Sequence, residues 1–549
     1  MDDIPATTTS SQQPWCLVDV RKGKKPSWQR KAFRLELRRG FVIVQIMHPA
    51  THRFVSGAAI RSLRCHLVQS GLLGLVLLGF LPLAWSAAQP LRLHPQNPHY
   101  FEFRGRPTVI ITSGEHYGAL LNLDFNYTRY FQALERDGMN STRTFAGAYC
   151  EPPDAFKITQ NTLAPKASRF ISPWARSDQP GYSNGGNKFD LARWDDAYFH
   201  RLRDFMTEAS KRGIIVELNL FCPFYQESMW KLSPMNTANN VNTVGAVART
   251  NVYTLDKHGG LLPFQEAMTR KIVRELKGFD NLYYEICNEP YFGGVTREWQ
   301  HHIVDVIVGT EHELGVKHLI SQNIANKKAR VEDPHPAISI FNFHYASPPD
   351  AVAMNYGLNK VIGDNETGFR GTNDAPYRME AWDFIVAGGA LFNHLDYSFV
   401  AGHEDGTFAY PASQPGGGNP DFRKQLRFLR DVIANYDFLR MQPEPAMVKG
   451  AFPAGVSVRA LYGRDKGCLA YLRTGLGATR NNPRQTAFSA DELRFSFDLP
   501  KGTFKAQWLN PGTGSILKTE TIEHTGGFRE FSAPAFQDDI ALALKPYRT

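Results

Sequence analysis

Between residues 108 and 395 short apolar runs recur, separated by stretches whose apolar positions repeat with a helical period. The runs are TVIITS (108–113), NSTRTF (140–145), IIVELNLF (214–221), LYYEIC (282–287), HLISQN (318–323), ISIFNF (338–343), KVIGDN (360–365) and ALFNHL (390–395). Helical patterns such as DDAYFHRLRDFMTEASKR and LLPFQEAMTRKIVRELKGF lie between most of them, and DFRKQLRFLRDVIANYDFL follows the last. Eight strands interleaved with helices predict an α/β fold, a (β/α)₈ TIM barrel over residues 89–443.

Two connections far exceed the usual two to six residues of a strand-to-helix loop. They follow strands two and three, and they mix Tyr149, Trp174, Tyr182, Phe224, Tyr225 and Trp230 with amides and hydroxyls, a content suited to a sugar face. From about residue 445 helical periods give way to alternation and turns, as in VSVRALYG, GCLAYLRTG and DIALALKP, which predicts a β-sandwich domain over 444–549. Within it NPRQTAF reads as a solvated loop.

The formal charge of +9 points first to a polyanionic partner. Residues 1–88 hold 12 Lys and Arg against 4 Asp and Glu, a surplus of +8, so the rest carries 50 basic and 49 acidic groups, or +1. A clustered basic footprint is lacking, and no nucleic-acid partner is expected. The surplus flanks SGLLGLVLLGFLPLAW, preceded by Arg61 and Arg64 and followed by SAA. This is expected to be a secretory signal peptide within a presequence of residues 1–88, cleaved after Ala88, with translation beginning at Met47. The apolar run is short for a membrane span, so the mature protein is expected outside the cytoplasm, secreted or periplasmic, without a stable anchor.

Cys150, Cys222, Cys287 and Cys468 remain after that cleavage and show no paired spacing, so buried free thiols are expected, with a Cys150–Cys222 bridge as the alternative. No zinc-type spacing occurs, and neither metal nor cofactor is expected.

Glu289 ends the fourth strand between Asn288 and Pro290, where packing gives little reason for a charge. Strand ends are where barrel enzymes place their chemistry. Glycosidic hydrolysis needs two carboxyl groups flanking the scissile bond, and Glu366 at the end of strand seven supplies the second. Asp364, two residues earlier, is its rival, since a regular strand would point both the same way.

Asn288-Glu289-Pro290 and Glu366-Thr367-Gly368 resemble the paired signatures of clan A glycoside hydrolases, especially cellulase-like family 5 enzymes with a small C-terminal β-domain. The resemblance implies a retaining O-glycosyl hydrolase acting on β-links in oligo- or polysaccharides, with Glu289 as acid and base and Glu366 as nucleophile. It implies that Arg143 lies beneath the nucleophile and keeps it ionised, that Asn288 positions a sugar hydroxyl, and that His344 and Tyr345 line the site. Glu289 is then the partner that holds a proton. Glu115 and His116 at the end of strand one are expected either to bind a sugar hydroxyl or to pair with each other. Trp230 and Asn393 complete the expected substrate-binding set. Where family 5 barrels carry a strand-eight Trp, this chain has Asn393, His394, Asp396 and Tyr397.

Two other readings use the same sequence: an inactive carbohydrate-binding secreted protein, against which both glutamates stand, and a serine hydrolase built on GYSNG (181–185). The latter motif lacks the strand before and the helix after that its chemistry requires.

Overall fold

Each of the eight apolar runs forms a strand of one parallel sheet. The computed structural model describes residues 89–547, apart from 454, 476–486 and 491. The signal-peptide segment and much of NPRQTAF lie outside the described residues. The barrel strands are β1 (Ile110–Gly114), β2 (Ser141–Phe145), β3 (Ile215–Phe221), β4 (Leu282–Cys287), β5 (Leu319–Asn326), β6 (Ile340–His344), β7 (Val361–Thr367) and β8 (Leu391–Leu395). Backbone ladders run β1-β8-β7-β6-β5-β4-β3-β2. Side chains close the seam between β1 and β2. Asn140 accepts from the Ile111 amide at 3.0 Å and donates to the Val109 carbonyl, and the Thr112 hydroxyl donates to the Ser141 carbonyl at 2.6 Å. The (β/α)₈ architecture expected from the pattern is therefore present.

The outer helices are α1 (Tyr127–Asp137), α2 (Asp196–Lys211), α3 (Leu262–Leu276), α4 (Arg297–Leu314), α5 (Asp350–Asn355), α6 (Asp374–Val386) and α7 (Pro420–Ala434). Five of the seven open on a side-chain cap. Asp195 accepts from the Ala197 and Tyr198 amides to open α2, and Asn419 accepts from the Phe422 amide to open α7, with Pro420 in its first turn. Gly138 ends α1 at φ 76°, a left-handed cap that glycine takes without strain. Residues 327–339 join β5 to β6 without a helix. A three-stranded meander, Arg92–His94, Asn97–Phe103 and Arg106–Thr108, precedes the barrel and was not expected from the pattern. It is tied to the end of the barrel opposite the site, where Arg104 pairs with Asp280 just before β4.

Beyond α7 the chain forms antiparallel sheets. A six-stranded sheet runs Gln442–Pro443, Ser457–Gly463, Gly467–Arg473, Asp539–Pro546, Gly502–Leu509, Ile516–His524, and a three-stranded one runs Val448–Lys449, Arg494–Leu499, Gly527–Ser532. Phe495, Phe497, Trp508, Phe531 and Leu542 fill a core of its own. Helix α6 lies between barrel and sandwich and is buried on nearly every side, so it shows almost no amphipathic stripe. Trp382 of α6 stacks on Tyr471, Arg378 grips Asp539 through Nε and Nη2, and Asp383 accepts from Arg473. Because a buried pair that loses one partner leaves an uncompensated charge, Arg378→Met is expected to destabilise the protein by about 3–5 kcal/mol. Urea unfolding followed by tryptophan fluorescence checks this, and an unchanged midpoint would contradict it.

Candidate active site

The site is built from residues that end the barrel strands. Glu289 follows β4 with φ 34°, a left-handed conformation that turns its side chain back over the barrel mouth. Its carboxylate accepts from the Tyr225 hydroxyl at 2.6 Å and from Tyr291 at 3.2 Å, and His344 Nδ1 of β6 stands 3.2 Å away. Glu366 of β7 accepts from Tyr117 at 3.0 Å, from Tyr345 at 2.5 Å and from Arg143 Nη1 at 3.3 Å. His344 Nδ1 is 3.5 Å from Glu366 as well, so the imidazole bridges the two carboxylates, and the nearest ligand atoms of the three lie within 4.8 Å of one another.

A bulge decides which carboxylate of β7 reaches the mouth. Phe343 pairs with Asp364 and His344 with Glu366, so Asn365 is skipped. Asn365 turns into the barrel, donating to Glu217 and Glu285, and Glu366 rises into the cleft. Asp364, the rival from sequence, is fully buried, accepts from the Ala346 amide and lies beside Glu380 of α6 rather than in the cleft. The regular alternation that equated the two positions fails at that bulge.

Beneath the mouth, Arg143 of β2 donates to Glu217, Glu285 and Asn288 as well as Glu366. The sequence reading expected Arg143 beneath Glu366 but missed Glu217 and Glu285, because a carboxylate inside a strand looks like any outward-facing polar residue. Burial and the charge of Glu285 push the Glu217 carboxyl well up, whereas the Arg143 guanidinium overcomes burial and holds Glu285 below its usual range. Asn288 donates to the Tyr225 hydroxyl at 2.7 Å, which fixes the tyrosine that serves Glu289.

One electrostatic expectation is reversed. Burial raises the Glu289 carboxyl, but the His344 hydrogen bond and charge, with the Tyr225 and Tyr291 hydroxyls, outweigh it and hold Glu289 below the usual carboxylate range. That direction is opposite to the one expected for the carboxyl that holds a proton.

The cleft has a volume of about 570 Å³, within the range of small-ligand pockets, and Glu289, Glu366, Asn288, Tyr345 and His116 all line it. Three expected binding residues are elsewhere. Trp230 is buried, donates to the Val247 carbonyl at 3.1 Å and packs on Phe224. Asn393 is buried below the mouth and donates to the Asn365 carbonyl. Glu115 organises the loop after β1, accepting from the Gly118 and Ala119 amides and the Thr162 hydroxyl, and so does not pair with His116. His116 pairs instead with Glu151, at 3.4 Å. Of the six loop aromatics read as a sugar face, Tyr225 lines the cleft, whereas Trp174, Tyr182 and Phe224 are buried packing. Among the other rings that line the cleft, Tyr117, Phe145, Phe156, Phe292 and Phe369 were singled out by no local pattern.

The four cysteines beyond residue 88 are free and buried, as expected. GYSNG forms the turn of a hairpin between Trp174–Pro180 and Asn187–Trp194, and Ser183 donates to Asn239 at 2.7 Å with no histidine in its hydrogen bonds.

No known family profile matches this sequence, and no curated protein does. Solved structures do share the architecture. The chain is similar to a glycoside hydrolase family 5 protein from Bacteroides vulgatus, at 14% identity and a TM-score of 0.53 over 83% of this chain and 93% of that one. It is similar also to a protein described as a glycoside hydrolase, at 13% identity and a TM-score of 0.52 over 83% and 97%. The barrel with its appended β-domain is thus an architecture found among glycoside hydrolases.

Proposed function

We propose that the protein is a retaining glycoside hydrolase that cleaves O-glycosidic bonds in a carbohydrate substrate. The observation that carries this reading is the pair Glu289 and Glu366, ending β4 and β7 in one cleft, with His344 bridging them and their nearest oxygens within 4.8 Å. Nearest oxygens this close favour direct attack on the sugar, as in retaining enzymes with carboxyl groups about 5–5.5 Å apart, over the wider spacing of about 6.5–9.5 Å that admits a water in inverting ones. The likeness to glycoside hydrolase structures supports the reading through the fold.

Glu366 attacks the anomeric carbon as the glycosidic C–O bond breaks, and the departing oxygen takes a proton from Glu289. That step needs Glu289 in its protonated form, which a bound sugar favours by displacing water from around the carboxyl. Water, deprotonated by Glu289, then attacks the glycosyl-enzyme and releases the sugar with its original configuration. Arg143, Tyr117 and Tyr345 hold Glu366 in its attacking position.

Proton NMR of the first-formed sugar tests the mechanism: a retained anomer at early times is expected, and an inverted one would recast Glu366 as a base. A panel of aryl glycosides and plant polysaccharides identifies the sugar.

Export completes the proposal, resting on SGLLGLVLLGFLPLAW followed by SAA. Protein recovered from its host is expected outside the cytoplasm with an amino terminus near Gln89. Sequencing that finds a terminus upstream of residue 60 would contradict it.

A further inference from the structure

If Glu289 protonates the departing oxygen, the leaving group lies on its side, against Tyr291, Phe292 and Lys327. The sugar that becomes bound to Glu366 then lies on the side of β8, β1 and β2. That side is walled by rings. Phe156, from the long loop after β2, lies 6.4 Å from Phe369 after β7 and 5.5 Å from Tyr225 after β3, centre to centre. Phe369 continues to Tyr397 at 6.3 Å, and Tyr397 to His116 at 6.1 Å. Behind them, His116 meets Tyr117 at 5.5 Å, Tyr117 stacks on Phe145 at 5.1 Å, and Tyr149 joins Phe145 to Tyr225 at 5.8 and 6.4 Å. Neighbouring rings in this series are in contact, and the Phe156–Phe369 pair joins the loops after β2 and β7 across the lining of the cleft.

The loop that completes the wall is held in costly conformations. Phe156, Lys157 and Gln160 have φ of 53°, 61° and 53°, left-handed values that side-chain-bearing residues rarely adopt. The loop is tied down by Gln414, which accepts from the Thr159 amide, and by Thr162, which donates to Glu115 and to the His116 carbonyl. At the back of the pocket is a buried carboxylate, Glu151. It accepts from Tyr149 at 3.0 Å and Asn161 at 2.6 Å and meets His116 Nε2 at 3.4 Å, leaving one of its roughly four acceptor positions for a ligand.

We propose that the enzyme acts from a chain end, holding one terminal sugar on the Glu366 side, with Glu151 and His116 binding its hydroxyls and the Phe156–Phe369 contact excluding a preceding unit. This rests on the glycosidase reading. The test uses full-length mature protein, a panel of 4-nitrophenyl monoglycosides and hexasaccharides labelled at the reducing end. A monoglycoside is expected to turn over, and the first labelled product from a hexasaccharide of the same sugar is expected to be the pentasaccharide. Labelled di- or trisaccharides as first products would overturn the chain-end inference alone; no turnover on any probe would remove the glycosidase reading and this inference with it. Glu151→Gln keeps the shape and removes the charge, so KM for the monoglycoside is expected to rise about tenfold or more with kcat changed far less, the loss due to one hydrogen bond to a charged group. Phe156 is 38% exposed, so Phe156→Ala should fold normally and admit mid-chain cleavage of the labelled hexasaccharide. An unchanged KM in the first variant or an unchanged product pattern in the second would refute the role of that residue.

Discussion

Glu289→Gln and Glu366→Gln are each expected to lose about 10² to 10⁴ in turnover or more, with circular dichroism unchanged, since acid-base assistance alone supplies that much. Glutamine preserves volume and can still accept from Tyr225 or Tyr117, so the loss isolates the charge and the proton. The two variants should differ in kind. Without Glu289, aryl glycosides with good leaving groups should retain the first step, because departure of an acidic phenol needs little protonation. The glycosyl-enzyme then accumulates, and azide should rescue Glu289→Ala to give a glycosyl azide of retained configuration. Azide should rescue Glu366→Ala by replacing the nucleophile, to give the inverted azide. Product configuration by NMR therefore assigns each carboxylate, and near-normal activity in either glutamine variant would sink the pair.

The second large effect is expected below the site, where one cation serves three carboxylates. Arg143→Met leaves Glu285 and Glu366 without their guanidinium in a buried setting, and a cost of about 3–5 kcal/mol is expected in urea unfolding at neutral pH, together with loss of activity as Glu366 is released. The neighbouring glutamates should not behave alike. Glu217 is pushed well up by burial and by the charge of Glu285, so Glu217→Gln removes the less favoured charge of the two and should cost about 1 kcal/mol or less. Glu285, held ionised by Arg143, is the anion of the pair, so Glu285→Gln should cost clearly more. Equal losses in the two variants would show that Glu285 is not the better stabilised anion of the two.

The domain contact behaves similarly. Arg378–Asp539 and Arg473–Asp383 are buried ion pairs between α6 and the sandwich, and they stand where an amphipathic surface helix would have been solvated. The lost periodicity of α6 is thus a mark of burial on both faces, which a sequence pattern alone cannot separate from weak helical signal.

Much of this protein was determined locally. The eight barrel strands were legible because strands buried on both faces must be continuous apolar runs, and the helices because one stripe packs inward and their caps are written in single residues such as Asp195 and Asn419. Glu289 and Glu366 stood out because a carboxylate at the end of a buried strand has no packing rationale. The tertiary structure decided what depends on residues far apart in the chain. It separated Glu366 from Asp364 through a bulge fixed by pairing with β6, and moved Trp230 from an expected sugar platform into loop packing. It set Glu289 against His344, reversing the expected direction of its pKa, and gathered Glu217 and Glu285 around Arg143. It also brought rings from five loops into contact at the cleft. Period and composition report which face of an element is buried, but ionisation and access depend on what other elements place within a few ångströms, and that is set only when the barrel closes.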